Sequence, residues 1–559
     1  MKKLISIAAG ALFLLQPTFA AATDATVVNQ TEGNSKVNIA VGENNTASTG
    51  SIKLKSIEGI VINRAEGSST NVAVGANNTA SLGSINMKHS DATVINFTQN
   101  GAVVSAGEGN TANLGTVQMN NSKGAFINRS VDGTNIAVGQ NNTANQGSLI
   151  AEGVTNEASF NMNSGGTNIA AGIGNEANLG TLKNSGDSVN ISRGGTNAAI
   201  GVDNKANLGS TIDSVNTVNV SGGGTNIAIG TGAEANLGST IGSKASLNVS
   251  GGGTNIATDG GKANLGSTIN SKDSVNISAG GTNVALAGGE ANLGSTVNSQ
   301  ATVNISGGGT NVALAGGKAN LGSTVNSKDS VNISAGGTNV ALAGSKANLG
   351  STVNSTNSVN ISGGGTNIAM GGGTANLGST INSSDSVNIS SGGTNVAMGG
   401  GKANLGSTIN SSGSVNISGG GTNIAMGGTA NLGSVVNSSG ATNISRGGTN
   451  IAMGGNANLG SVVNSAGATN ISGGGLNVAM GGNANLGSVV NSAGATNISA
   501  GGTNIAAGGN AALGSVINTA GATNVSAGGT NIAGGGDAYM SSVVSGVRYN
   551  SLGMPIPGP

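Results

Sequence analysis

Gly421-Thr-Asn-Ile-Ala-Met-Gly-Gly-Thr-Ala-Asn-Leu-Gly-Ser-Val-Val-Asn-Ser-Ser-Gly-Ala-Thr-Asn-Ile-Ser445 is one copy of a unit that recurs along most of this 559-residue chain. Its marker is the Asn of Thr-Asn-Ile/Val-Ala, at Asn38, Asn71 and Asn135, then at every unit from Asn168 to Asn531. A degenerate copy around Val104 fills the one gap, which makes about 18 units. Self-similarity at this period marks a solenoid or array, in which each copy buries its faces against its neighbours.

The spacing shortens along the chain. Asn38 to Asn71 is 33 residues, Asn168 to Asn197 is 29, Asn255 to Asn283 is 28 and Asn423 to Asn450 is 27. The late losses fall in the Gly-rich stretch before Ala-Asn-Leu-Gly, which reads as a loop because it tolerates deletion. The early extra residues, as between Ser148 and Phe160, read as a second loop, larger in the N-terminal units. Between the loops, apolar and small polar residues alternate with period two, a strand signature.

Three short strands per unit follow: Thr422 to Met426, Ala403 to Asn410 and Ser414 to Ser418. The expected fold is all-β, a β-solenoid of about 18 stacked coils of 27–33 residues with roughly three short strands each. At a strand spacing of about 4.8 Å, eighteen coils span roughly 85 Å. Hydrophobicity assigns Leu405, Ile409, Val415, Ile417, Ile424 and Met426 to the interior, with Ala and Ser in the corners. Phe97 and Phe160, in slots held elsewhere by Ile or Val, are expected to fill the core. Four Asn recur per unit, as at Asn423, Asn431, Asn437 and Asn443. Stacked identical amides can hydrogen-bond in ladders; the alternative places them in solvent or in turns.

The residue before Ala-Asn-Leu-Gly runs Glu176, Lys205, Glu234, Lys262, Glu290, Lys318. In-register stacking would set opposite charges side by side, worth about 0.2–1 kcal/mol per pair. No Pro occurs between residues 18 and 554, as uninterrupted ladders require.

Composition narrows function. Charged residues are 8% and aromatics 1%, with 103 Gly, far from the ~25% charge of an ordinary globular domain. The net charge of zero gives no pull toward nucleic acid or anionic membrane. No Cys is present, so disulfides and thiolate metal sites are excluded. The single His89 has no second His to complete a metal site or triad. Acidic residues are scattered. Gly260 to Ala263 imitates part of a phosphate loop but precedes a strand and lacks the Ser/Thr after Lys. No catalytic, cofactor-binding or metal-ligating residue is therefore assigned, no cofactor is expected, and the chain reads as a non-enzyme.

Lys2 and Lys3, the apolar stretch Leu4 to Leu15, and Ala20, Ala21 and Ala22 form a secretory signal pattern cleaved near residues 20–22. No later stretch is apolar enough to span a bilayer. The expected organisation is a signal peptide at 1–22, longer irregular repeats at 23–160, a regular array at 161–536 and a C-terminal cap or docking tail at 537–559. The product is expected outside the cell, on a bacterial surface or in its matrix.

Gly166-Thr-Asn-Ile-Ala-Ala-Gly-Ile-Gly-Asn-Glu-Ala-Asn-Leu-Gly180 resembles the repeat of Fap-type functional-amyloid subunits, and Val138-Gly-Gln-Asn-Asn-Thr-Ala-Asn-Gln-Gly147 is similar to curlin repeats. Unlike Fap subunits the array is continuous and Cys-free, and unlike curlins it is poor in Gln. The resemblance implies a mode of assembly: a secreted homopolymer forming amyloid-like surface fibres for adhesion and biofilm matrix. It also implies an outer-membrane secretion pore and a nucleator as candidate partners. The alternative is a monomeric β-solenoid adhesin or ligand-binding protein, its Thr/Asn/Ser face taking glycan or ice.

Overall fold

In the computed structural model every regular element among the described residues is a β-strand, and nearly all strands pair in parallel, each with its equivalent one repeat away. The structure describes residues 4–6 and 25–556 apart from short segments such as 32–36, 153–154, 184–187 and 551–554. Two compact units are present, Met1–Ala285 and Leu286–Pro559. Each is a parallel β-solenoid. Parallel strands need a crossover, and here the rest of each turn serves as one.

A turn of the second unit shows the plan. Val387–Ser390 lies in sheet A, Gly393–Ala397 in sheet B, Lys402–Leu405 in sheet C and Thr408–Ile409 in sheet D. Register is residue on residue: Thr394, Asn395, Val396 and Ala397 face Thr422, Asn423, Ile424 and Ala425. Four strands thus form each turn, not three. The expected strand Ala403 to Asn410 breaks at Gly406 and Ser407 into the C and D strands. Gly406 has φ 54°, a left-handed conformation that turns the chain, and a Cβ there would overlap the Ser418 side chain.

The regular turns number about 14, the five marked by Asn168 to Asn283 and the nine marked by Asn311 to Asn531. The units before them differ in kind. Their extra residues extend strands instead of enlarging a loop: the A strands Asp91–Gln99 and Thr155–Ser164 have nine and ten residues, and the D strand Leu149–Glu152 has four. A register shift at Gly124/Ala125 absorbs one extra residue.

The interior holds the opposite parity to the one hydrophobicity selects. Leu405 points inward and is fully buried, as expected. Ile417 and Met426 are exposed, while Ile409, Val415 and Ile424 are half-buried on the outer side. Asn416, Ser418, Asn423, Ala425, Ala403 and Thr408 line the inside instead. The reason is space. Neighbouring faces lie so close that the Leu377 Cδ1 from sheet C would sit 3.2 Å from a Cβ on Gly393 in sheet B. One Leu per turn fills this gap, and small side chains suit the rest.

Phe97 is likewise not in the core. It lies half-buried on the outer side of sheet A, stacked between Arg64 and Arg129, whose guanidinium carbons lie 5.8 and 5.2 Å from the ring centre. Phe160 is half-buried too.

Burying Asn is costly unless its amide is paired, and here it is. In the second unit, Asn360, Asn388 and Asn416 of sheet A each donate Nδ2 to the next Asn Oδ1 at 2.9–3.0 Å. Asn367, Asn395 and Asn423 of sheet B do the same at 2.9 Å. Each sheet B amide also donates to a sheet C carbonyl, as Asn395 does to Ala375 at 2.9 Å. Sheet C has a third ladder running the other way, Asn404 donating to Asn376 at 2.9 Å. The first unit repeats these ladders, as in Asn161 to Asn190 at 2.7 Å and Asn197 to Asn226 at 2.9 Å. The fourth Asn of each repeat behaves differently: Asn410 and Asn437 are exposed turn residues at φ 48° and 49°.

Two flaws in the polar interior are informative. Val103 occupies the Asn slot of the degenerate unit, between Asn71 and Asn135. Asn135 Oδ1 is consequently buried without a hydrogen-bond partner. In sheet D the hydroxyls of Thr296, Thr324, Thr352, Thr380 and Thr408 are buried and unpartnered, and from Val435 onward the slot is Val.

Candidate functional site

His89 lies outside the described residues. Among the described residues no group of three His, Cys, Asp or Glu side chains converges, and no helix is long and apolar enough to cross a membrane. Lys262, of the Gly-Gly-Lys stretch, opens a sheet C strand, so no helix N-terminus faces an anion there. Of the signal region, only Leu4–Ser6 is described, paired with Thr26–Val28.

The charge row stacks as its alternation requires. Glu176 lies beside Lys205, Lys205 beside Glu234 and Glu234 beside Lys262 in the first unit, and Glu290 beside Lys318 in the second. Glu176 also forms an ion pair with Lys183, Nζ to Oε1 2.6 Å. Beyond Lys318 the row places Lys346 next to it, a like-charge neighbour.

With no convergent cluster, the surfaces are the candidates. The first is the outer side of sheet A in the second unit. Ile alternates there with buried Asn and Ser, as in Val387, Asn388, Ile389 and Ser390, and the other outward slot holds Val through Val415 and Thr from Thr442 onward. The Ile is 37% exposed at each of Ile305, Ile333, Ile361, Ile389, Ile417 and Ile444. Identical exposure at successive turns makes this a flat, ridged apolar stripe. Sequence reasoning missed it by assigning these Ile to the core. The recurrence of Asn in mid-strand was the available signal, because a strand position, unlike the left-handed turn held by Asn410 and Asn437, gives an exposed Asn no reason to recur.

The second candidate is a shallow polar groove of about 390 Å³ at the corner between sheets D and A. Asn354, Asn382, Asn410 and Asn437 line it, with Thr356, Ser384, Ser412 and Ser439. The latter four form a column of single parallel bridges.

The third is the free end of sheet B. Gly529–Gly534 pairs with Gly502–Ala507, and among the described residues it has no partner on its other side. Its inward positions Asn531 and Ala533 are half-exposed, whereas Asn504 and Ala506 one turn earlier are buried.

These features define the class as a parallel β-solenoid with buried amide ladders. Comparison with protein-family models, with curated proteins and with solved structures finds no match for this chain.

Proposed function

We propose that this chain is a secreted structural protein that polymerises into β-solenoid, amyloid-like fibres at the bacterial cell surface, serving adhesion and biofilm matrix. The carrying observation is the edge strand Gly529–Gly534, which among the described residues has no strand on its outer side and carries Gly-Thr-Asn-Ile-Ala in the same register as Gly502 to Ala506 one turn earlier. An open ladder of this kind templates further pairing. The Asn ladders add specificity, since an amide column continues only onto another Asn in register. The motif resemblance to Fap-type and curlin repeats points the same way, as does the export signal read at 1–22. Under this reading the partners are further copies of the chain, with a secretion pore and a nucleator assisting.

The test uses purified chain lacking residues 1–22, incubated in physiological buffer and followed by electron microscopy and fibre diffraction. Detergent-resistant filaments with a reflection near 4.8 Å along the axis are expected. A β-rich species that stays monomeric even when seeded refutes the reading.

A second reading rests on the groove lined by Asn382, Ser384, Asn410 and Ser412. Its amides and hydroxyls match the hydrogen-bonding pattern of a glycan, which would make the chain a monomeric adhesin. Glycan-array binding abolished by Asn382→Ala together with Asn410→Ala would support it, and a blank array would remove it.

A further inference from the structure

Nine sheet A strands of the second unit, from Val303–Ser306 to Thr523–Ser526, carry Ile or Val at an exposed outward position, and in the eight up to Thr496–Ser499 the Asn before it is buried. None of the nine contains a charged residue. Charges appear only at the margins: Lys328, Asp329 and Asp385 before the strands and Arg446 after one of them, all exposed. An apolar, uncharged centre with a charged rim is the anatomy of a protein interface. At a strand spacing of about 4.8 Å and a rise of about 3.3 Å per residue, the stripe measures roughly 40 by 13 Å, or about 500 Å². That lies at the upper end of what a monomer exposes. Two such faces in contact bury about 1,000 Å², the size at which an interface becomes specific.

The repeat of the stripe selects its occupant. The exposed Ile side chains form ridges one strand spacing apart, with grooves between them. A partner helix has a pitch of about 5.4 Å, so its ridges drift by a whole groove over about eight turns. A β-ladder, with the same strand spacing, stays in step along the full stripe, and this chain supplies one.

We propose that the outer side of sheet A is a lateral interface, on which a second copy of this chain packs face to face through Ile305, Ile333, Ile361, Ile389, Ile417 and Ile444. The inference rests on the self-assembly reading and adds to it the surface that turns single filaments into paired or bundled ones. End-to-end growth uses backbone hydrogen bonds at the ladder ends. Lateral packing uses interdigitated dry side chains, as in steric zippers.

The test compares four forms of the mature full-length chain, of which the first three are wild type, Ile333→Lys/Ile361→Lys/Ile389→Lys, and Thr356→Lys/Ser384→Lys/Ser412→Lys, which puts the same charge on the polar groove. A fourth form, Ile333→Ser/Ile361→Ser/Ile389→Ser, removes the apolar ridges without adding charge. Far-UV circular dichroism establishes that each form keeps its β-structure. Electron microscopy then measures filament width, and sedimentation the bundled fraction.

The wild type and the groove variant are expected to form paired or bundled filaments. Both Ile variants are expected to form single thin filaments, with the bundled fraction reduced at least tenfold. If both folded Ile variants bundle like the wild type, or the wild type itself makes only single filaments, the lateral interface is overturned while the fibre reading stands. If the wild type makes no polymer of any kind, both fall together.

Discussion

Replacing Asn395 with Ala cuts the sheet B ladder at its middle. Asn395 is fully buried, accepts from Asn367 at 2.9 Å, and donates to Asn423 Oδ1 and to Ala375 O, each at 2.9 Å. The truncation leaves Asn423 Oδ1 in the state native Asn135 Oδ1 already shows beside Val103. It also strips Asn367 of one of its two acceptors, the other being Ala347 O. Each orphaned buried group costs about 1–3 kcal/mol, so the loss is about 2–5 kcal/mol. Asn431 at the next sheet C level still donates its own ladder bond, so the damage should stay local, as expected for a stack of nearest-neighbour units.

Hydrogen exchange by mass spectrometry on the mature full chain reads this directly. At about 1.4 kcal/mol per factor of ten, peptides spanning 367 to 423 should exchange roughly 30- to 3,000-fold faster, while peptides beyond residue 470 stay at the wild-type rate. Exchange within threefold of wild type around Asn395 would refute the claim that the amide ladder holds the turns together. Asn395→Asp adds a pH signature. The buried carboxylate faces the Asn423 carbonyl oxygen, so folding raises its pKa above the unfolded value near 3.9. The penalty is absent below that pH, grows as pH rises toward the folded pKa, and is full above it. The variant should therefore be rescued by acid, and an unchanged pH profile would contradict the burial.

Further predictions concern single positions. Thr352→Val removes an unpartnered buried hydroxyl from a slot that becomes Val at Val435, so thermal unfolding should show a gain of about 1 kcal/mol. Val103→Asn should complete the broken ladder and supply a donor to Asn135; stability within about 1 kcal/mol of wild type is expected, where an unpaired buried amide would cost about 1–3 kcal/mol. Gly393→Ala should destabilise the chain by 2 kcal/mol or more, because φ is 142° and the new Cβ would overlap Gly365. Gly440→Asn should be neutral, since nothing lies within 4 Å and Asp385 and Asn357 adopt the same left-handed conformation at equivalent corners. Lys346→Glu replaces a like-charge neighbour of Lys318 with an opposite one, and should raise stability by a few tenths of a kcal/mol in low salt and by nothing in 1 M salt.

The amino-acid sequence by itself determined that this chain is a parallel, in-register stack. Repetition of Thr-Asn-Ile-Ala and Ala-Asn-Leu-Gly at a near-constant interval, the alternation of Glu and Lys from Glu176 to Lys318, and the absence of Pro across the array all constrain neighbours along the stack. Those are one-dimensional relations, and a sequence records them directly. What lies across the turn is a three-dimensional relation. Period-two alternation offers two parities, and hydrophobicity alone selects the Ile and Val side for the interior. The structure takes the other side, because a turn narrow enough for Leu377 to reach the Gly393 backbone has room for Ala, Ser and Asn. Stacking then satisfies each Asn by its own copies, which removes the penalty that normally keeps amides at the surface. The break at Gly406, the outward stack of Arg64, Phe97 and Arg129, and the exposed Ile stripe follow from that closure of the turn. Only the folded cross-section, where four short faces compete for one small volume, decides them.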